Sequence, residues 1–169
     1  MKIITITGSV GTGKTTLAKK LCNKFLLGYI DVNKIIGKYR IAEGYDLKRK
    51  SKIVDVGKLS KALIKEINNI QKTKAKNGIV IDSHLSHYLP KRYVDLCIVT
   101  KCDLKELRKR LKKRKYDENK IRENLDAEIF DVCLNEAKEN GHKVIVIDTT
   151  KGININRFSD KIGGFIDSK

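Results

Sequence analysis

Gly8-Ser9-Val10-Gly11-Thr12-Gly13-Lys14-Thr15 is a complete GxxxxGK[ST] pattern, preceded by the apolar run Ile3–Thr7 and followed by a helix-spaced segment, Thr15–Phe25. A strand before and a helix after are the context in which this pattern becomes a phosphate-binding loop. Glycines let successive backbone N–H groups turn inward around an anion, where a side chain would clash or force a strained φ. The helix N-terminus adds partial positive charge beneath them. Lys14 is placed to bridge the β- and γ-phosphates of ATP, and the Thr15 hydroxyl to ligate Mg²⁺. Gly8, Gly11, Thr12, Gly13, Lys14, Thr15 and Thr16 are therefore the candidate ATP-binding residues.

Working outward, four further apolar runs follow Lys2–Thr7, at Tyr29–Val32, Gly78–Asp82, Tyr93–Thr100 and Lys143–Asp148. None alternates polar with apolar, which is expected of strands covered on both faces in a parallel sheet. Helix-spaced segments separate them at Lys14–Phe25, Val56–Ile70, Asp103–Leu111 and Glu118–Glu139. Alternating strands and helices predict an α/β fold, a five-stranded parallel sheet wrapped by helices. Asp82 closes the run Gly78-Ile79-Val80-Ile81-Asp82, the Walker-B arrangement, and with Thr15 forms the candidate Mg²⁺ site. The plainer role for Asp82 is a turn or N-cap aspartate. His84, two residues on, would lie near the γ-phosphate and is a candidate catalytic residue, although a lone histidine is commonly structural.

The chain has 169 residues, the size of one domain. Hydrophobic residues make up 40% and charged residues 34%, which excludes disordered and membrane-spanning classes. A single proline excludes proline-rich architectures. No apolar run approaches the ~20 residues of a membrane span. MKIITITG shows no charged leader and no cleavage signal, so the chain reads as a cytoplasmic protein without membrane partners. The four cysteines lack CxxC spacing, and Cys22, Cys97 and Cys133 sit in apolar stretches as small buried hydrophobes. The formal net charge of +17 predicts attraction to polyanions without choosing among them. Only 8 of the 37 basic residues are arginine, the residue that specific RNA contacts favour, so charge alone makes a weak RNA signal.

Two stretches interrupt the rhythm. Lys34–Asp55 is long, charged and weakly periodic, and reads as a helical excursion between the second and third strands. Lys101–Arg122 holds 11 Lys/Arg against 4 Asp/Glu around Leu104, Leu107 and Leu111, a helix with one buried stripe and a basic remainder. Most of these lysines read as a solvated face. Arg110 and Arg114, at i and i+4, project from one side of a helix end and could close over a γ-phosphate as catalytic lid residues. Thr100-Lys101-Cys102-Asp103 mimics the [NT]KxD guanine motif, yet the DxxG expected of a GTPase reads Asp82-Ser83-His84-Leu85. Asp103 is more simply a helix N-cap.

Strand-terminal P-loop, an insert near 33–55 and a lid near 104–124 together resemble the nucleoside monophosphate kinase fold over the whole of 1–169 as one P-loop kinase domain. Gly44-Tyr45-Asp46, Asp82-x-His84 followed by Pro90, Arg110-Leu111-x-x-Arg114-x-Tyr116 and Glu128-Ile129-Phe130 resemble, in order, the adenylate kinase isoenzyme 6 family. The resemblance implies adenylate kinase activity, ATP + AMP ⇌ 2 ADP, with ATPase activity from the same site. It further implies a role in small-ribosomal-subunit maturation, with a ribosomal protein of the uS11 type and small-subunit rRNA as partners. Carried over by position, Arg114 is the lid arginine on ATP, Lys151 lies in the loop over adenine, and Asp82 and His84 serve hydrolysis. The expected oligomeric state is a monomer. An ATP-hydrolysing assembly factor with incidental kinase activity is the alternative. Two departures bear on it: Leu85-Ser86-His87-Tyr88-Leu89 replaces the Gly-Cys-Asp-Phe-Phe run usual in the family's animal members, and Gly37 stands where an arginine often contacts the monophosphate, with Lys38 and Arg40 nearby.

Overall fold

The run KIITIT forms strand β1 (Lys2–Thr7) at the centre of the sheet, with every residue after Lys2 buried. The structure, a computed structural model, describes residues 1–47, 51–73 and 76–167. Chain order continues through α1 (Lys14–Phe25), β2 (Gly28–Asp31), α2 (Val32–Lys38), β3 (Ala42–Asp46), β4 (Ser51–Val54), α3 (Val56–Thr73) and β5 (Gly78–Asp82). It ends with β6 (Leu96–Lys101), α4 (Leu104–Lys113), α5 (Glu118–Ile129), α6 (Val132–Glu139), β7 (Val144–Asp148) and α7 (Asn156–Asp167). Five strands form one parallel sheet in the order β2-β5-β1-β6-β7.

Successive side chains on a strand point to opposite faces, and both faces here are covered. Ile3, Ile30, Ile79 and Ile81 pack with Val32, Ile36, Leu59, Leu63 and Ile67 of α2 and α3. Ile4, Ile6, Val80, Leu96 and Ile98 pack with Leu17, Leu21 and Ile162 of α1 and α7 on the other side. Each fully buried aliphatic side chain contributes ~1.5–3 kcal/mol, which explains why these strands carry no polar alternation. The chain leaves β1 for α1 at the point where strand order reverses, and open α/β sheets bind ligands there, at the carboxyl ends of their strands.

Helix ends differ in a way that matters for the site. Asp31, Asp103 and Asp117 cap α2, α4 and α5 by accepting backbone N–H bonds. By contrast, α1 begins at Gly13 with no side-chain cap, so its first N–H groups remain available to an anion.

Three sequence expectations change. The stretch Lys34–Asp55 is not one helical excursion but the end of α2 followed by the antiparallel β3–β4 hairpin. Residues 42–45 of the hairpin are all exposed, so no burial pattern announced a strand. Lys48, Arg49 and Lys50 of this insert lie outside the described residues. The expected helix Glu118–Glu139 is two, broken at Asp131, which takes φ 53°. The fourth sheet strand starts at Leu96 rather than Tyr93, because Lys91–Tyr93 form a 3-10 turn after Pro90. Cys22, Cys97 and Cys102 are buried, Cys133 is only partly so, and all four are free. Among the described residues, no helix is long and apolar enough to cross a membrane.

Candidate active site

The turn out of β1 needs glycine at Gly8. There φ is 138°, and a Cβ would lie 2.5 Å from the Thr100 carbonyl oxygen. Gly11, at φ 93°, sits beneath α4; a Cβ would come within 2.9 Å of Leu107 Cδ1. The loop is braced from behind. Thr12 Oγ1 donates to Ser9 O at 2.7 Å and lies 2.7 Å from Thr100 Oγ1, while Thr149 Oγ1 donates to Thr12 O at 2.7 Å. Ser9 Oγ donates to the Glu128 carboxylate at 2.7 Å. Gly8 and Thr12 are buried behind the cavity wall rather than lining it.

Lys14 folds over the loop and donates from Nζ to Gly8 O and Ser9 O, each at 2.8 Å. Burial lowers its pKa to about 8, partly opposed by Cys133, Asp82 and Glu128. A cavity of about 340 Å³ opens above it. Gly11, Gly13, Lys14, Thr15 and Thr16 form one wall; Asp31, Asn33, Asp82, Ser83 and His84 form another; Arg114 and Tyr116 complete it. A second cavity, about 480 Å³, shares Gly11, Gly13, Thr16 and Arg114 with the first. It continues to Arg110, Lys113, Thr149, Gly152 and Ile153.

Asp82 is 6% exposed and accepts a hydrogen bond from Tyr29 Oη at 2.9 Å. Burial and then the Asp82 charge raise the Tyr29 pKa, so the phenol stays a donor. Among the described residues no group of three or more His, Cys, Asp or Glu is arranged for a metal ion. Magnesium does not need one, because it takes one or two protein oxygens and completes its shell with phosphate and water. The Thr15 hydroxyl and Asp82 carboxylate, on one cavity, fit that donor set.

His84 lines the same cavity with its side chain open to it. The protein mass around the cleft, and then Lys14, hold its pKa below the ordinary histidine value, so the ring is neutral at pH 7. The buried histidine of this segment is instead His87, between Thr7 Oγ1 at 2.7 Å and Glu136 Oε2 at 2.9 Å, where it braces β1 against α6.

The two arginines part company. Arg114, at the C-cap of α4, lines both cavities. Arg110 was expected beside it over the γ-phosphate, but its guanidinium is occupied elsewhere. It donates to Glu106 Oε1 at 2.9 Å, Thr149 O at 2.8 Å and Thr150 O at 3.1 Å. It adds a second donor to the Thr149 carbonyl, which also accepts from the Gly152 N–H at 2.9 Å, and it lines the second cavity and not the first. Lys151 is exposed at the tip of that turn, with Thr149, Gly152 and Ile153 lining the cavity instead. Lys101 and Asp103 show why the guanine-like motif is a decoy: Lys101 pairs with Glu128 and Asp131, and Asp103 caps α4. Near Gly37, Lys38 pairs with Glu66 at 2.6 Å, and Arg40 lines a separate cavity with Tyr39 and Lys58.

Tyr29, Asp31, Asn33 and Ser83 were not singled out in the sequence. A signal for Asp31 existed, since β2 ends in an aspartate level with Asp82 in the parallel register.

A family model described as an AAA domain matches residues 4–131. The Adenylate kinase isoenzyme 6 homolog of Dictyostelium discoideum is 34% identical over 145 residues, 86% of this chain and 79% of that protein. The one of Caenorhabditis elegans is 32% identical over 168 residues, 96% and 90% of the two chains. A Methanocaldococcus jannaschii protein with adenylate kinase in its name is 40% identical over 147 residues, covering 87% of this chain and 76% of its own. Among solved structures, shikimate kinase from Acinetobacter baumannii superposes with a TM-score of 0.60 at 16% identity, covering 98% of this chain and 93% of its own. Deoxyadenosine kinase from M. mycoides does so at 0.55 and 17%, covering 99% and 100%. At such identities the structures establish the fold alone.

Proposed function

This chain belongs to the adenylate kinase isoenzyme 6 family and is a kinase of the adenylate kinase type, and on that premise we propose that it transfers the γ-phosphoryl group of ATP to AMP. The observation that carries this reading is the single cleft formed by two cavities sharing Gly11, Gly13, Thr16 and Arg114, with Lys14, Thr15 and Asp82 at one end. Triphosphate fits the loop end, and the base fits the end lined by Thr149, Gly152 and Ile153. Residues 1–169 act as one P-loop kinase domain, with 33–55 as acceptor-binding insert and 104–124 as lid.

In the transfer, the bond from Pγ to the leaving ADP oxygen breaks and a bond from Pγ to an AMP phosphate oxygen forms. Such chemistry is mainly positioning and charge neutralisation. Lys14 and the loop N–H groups hold the phosphates, and Arg114 covers them. Thr15 and Asp82 would hold Mg²⁺, which would supply neutralisation of the phosphate charge. Arg110 acts one step back, fixing the base-side turn through Thr149 and Thr150. His84, neutral and open to the cleft, can orient a water molecule, giving ATP hydrolysis from the same site. Family membership and the +17 charge support small-subunit maturation, with a uS11-type ribosomal protein and small-subunit rRNA as partners.

One observation favours the second reading, an ATP-hydrolysing assembly factor whose kinase activity is incidental. Lys38, beside Gly37, is paired with Glu66, and Arg40 lines a separate cavity with Tyr39 and Lys58. ADP production from ATP and Mg²⁺, with AMP, CMP, UMP or GMP, separates the two. Stimulation by AMP supports the kinase, and hydrolysis indifferent to every monophosphate supports the assembly factor. Lys14→Ala abolishes both activities; retained turnover would remove the loop from the mechanism.

A further inference from the structure

Glu128 ends its helix against the back of the phosphate loop and is 4% exposed. A carboxylate withdrawn from water this far needs partners, and its partners come from segments distant in sequence. Oε2 accepts from Ser9 Oγ at 2.7 Å; Oε1 accepts from the Cys102 backbone N–H at 2.9 Å and lies 3.3 Å from Lys101 Nζ. Lys101 Nζ also donates to the main-chain oxygen of Glu128 at 2.9 Å and pairs with Asp131. One side chain thereby ties α5 and the end of β6 to the loop.

Its grip falls on the residue that organises the loop. The Ser9 carbonyl receives Lys14 Nζ at 2.8 Å, Thr12 Oγ1 at 2.7 Å and Thr12 N–H at 3.3 Å. We propose that Glu128 is a positioning residue of the nucleotide site, fixing Ser9 so that the phosphate loop already holds its anion-accepting shape before ATP arrives. Glu128 itself lies behind the loop and does not line the cleft. The proposal rests on the reading that this loop binds ATP.

Preorganisation lowers the ordering cost of binding and acts equally on ground and transition states. Loss of the clamp therefore weakens ATP binding without slowing the chemical step. Glu128→Gln keeps the volume but loses the charge facing Lys101, and Ser9→Ala removes only the loop's end of the contact. Dissociation constants for a fluorescent ATP analogue with Mg²⁺, steady-state kcat and melting temperature are measured for both variants and their combination. Each single variant raises the dissociation constant about tenfold, the double variant also about tenfold rather than a hundredfold, and kcat stays within about twofold.

A hundredfold effect in the double variant overturns the coupling. An unchanged dissociation constant with lowered kcat or melting temperature reduces Glu128 to a fold-stabilising residue and overturns the proposal. If Glu128→Gln does not fold, Ser9→Ala decides alone by the same criterion. Because the binding measurement uses no AMP, wild-type protein that binds the analogue but ignores AMP refutes the kinase reading and leaves the clamp standing. Wild-type protein that binds no analogue overturns both.

Discussion

Lys14 holds its ammonium against two loop carbonyls, where burial lowers its pKa to about 8. ATP binding needs the charged form. Affinity should therefore be flat below pH 8 and fall as pH rises beyond it, by up to about tenfold per unit, before surface lysines titrate near ~10.4. Titration of an ATP analogue from pH 7 to 9.5 checks this, and a flat profile would contradict it. The stability contribution has the opposite sense. The unfolded chain keeps this proton up to 10.5, so between about 8 and 10.5 this group makes the fold more stable as pH rises. At this scale, the loop and Asp82 were legible because their chemistry demands fixed residue types at fixed spacing. Tyr29 was not, since a tyrosine in an apolar strand carries no sign that its hydroxyl will meet Asp82. Arg110 was legible as one of two arginines on one side of a helix end but not in its target, which depends on where the turn after β7 leaves its carbonyls.

Among the elements, α4 covers the phosphate loop. Leu107 and Leu111 are fully buried, packing with Cys102, Ile121, Val10 and Leu125, and they cover Gly11. Leu107→Ala should destabilise the protein by ~2–5 kcal/mol through the cavity it leaves. Because the same side chain roofs the loop, it should also raise the KM for ATP. Denaturant unfolding and steady-state kinetics test both; a loss below about 1 kcal/mol would mean the site collapses freely. The Leu107 and Leu111 spacing made this helix readable and Asp103 marked its start, whereas Leu104, expected in the same buried stripe, opens the helix and is 39% exposed. The β3–β4 hairpin escaped because its strands bury almost nothing, leaving only turn chemistry and charge to read. The break at Asp131 escaped because a left-handed aspartate between two helical segments leaves no composition signature.

Across the whole molecule, the sheet was readable because its central strands, buried on both faces, write unbroken apolar runs into the chain, while the edge strand β7 keeps its apolar run although Val146 is exposed. Charge is a molecular property of another kind, since +17 implies long-range attraction without naming a partner. If small-subunit rRNA is bound, affinity should fall linearly in log–log terms as salt rises, with a slope of about 0.7–0.9 per phosphate neutralised. Nucleotide dependence of that binding would separate a coupled assembly role from simple lysine adhesion. A complex insensitive to both salt and nucleotide would contradict the assembly role. The most direct measurement of the central claim follows the γ-phosphoryl group itself. Protein, Mg²⁺ and ATP labelled at the γ-phosphate are incubated with AMP, and label is counted in ADP and in inorganic phosphate. Kinase chemistry puts most of the label in ADP when AMP is present, and His84→Ala lowers the phosphate fraction more than the ADP fraction. Label appearing only as inorganic phosphate, at a rate AMP does not alter, would contradict the adenylate kinase reading.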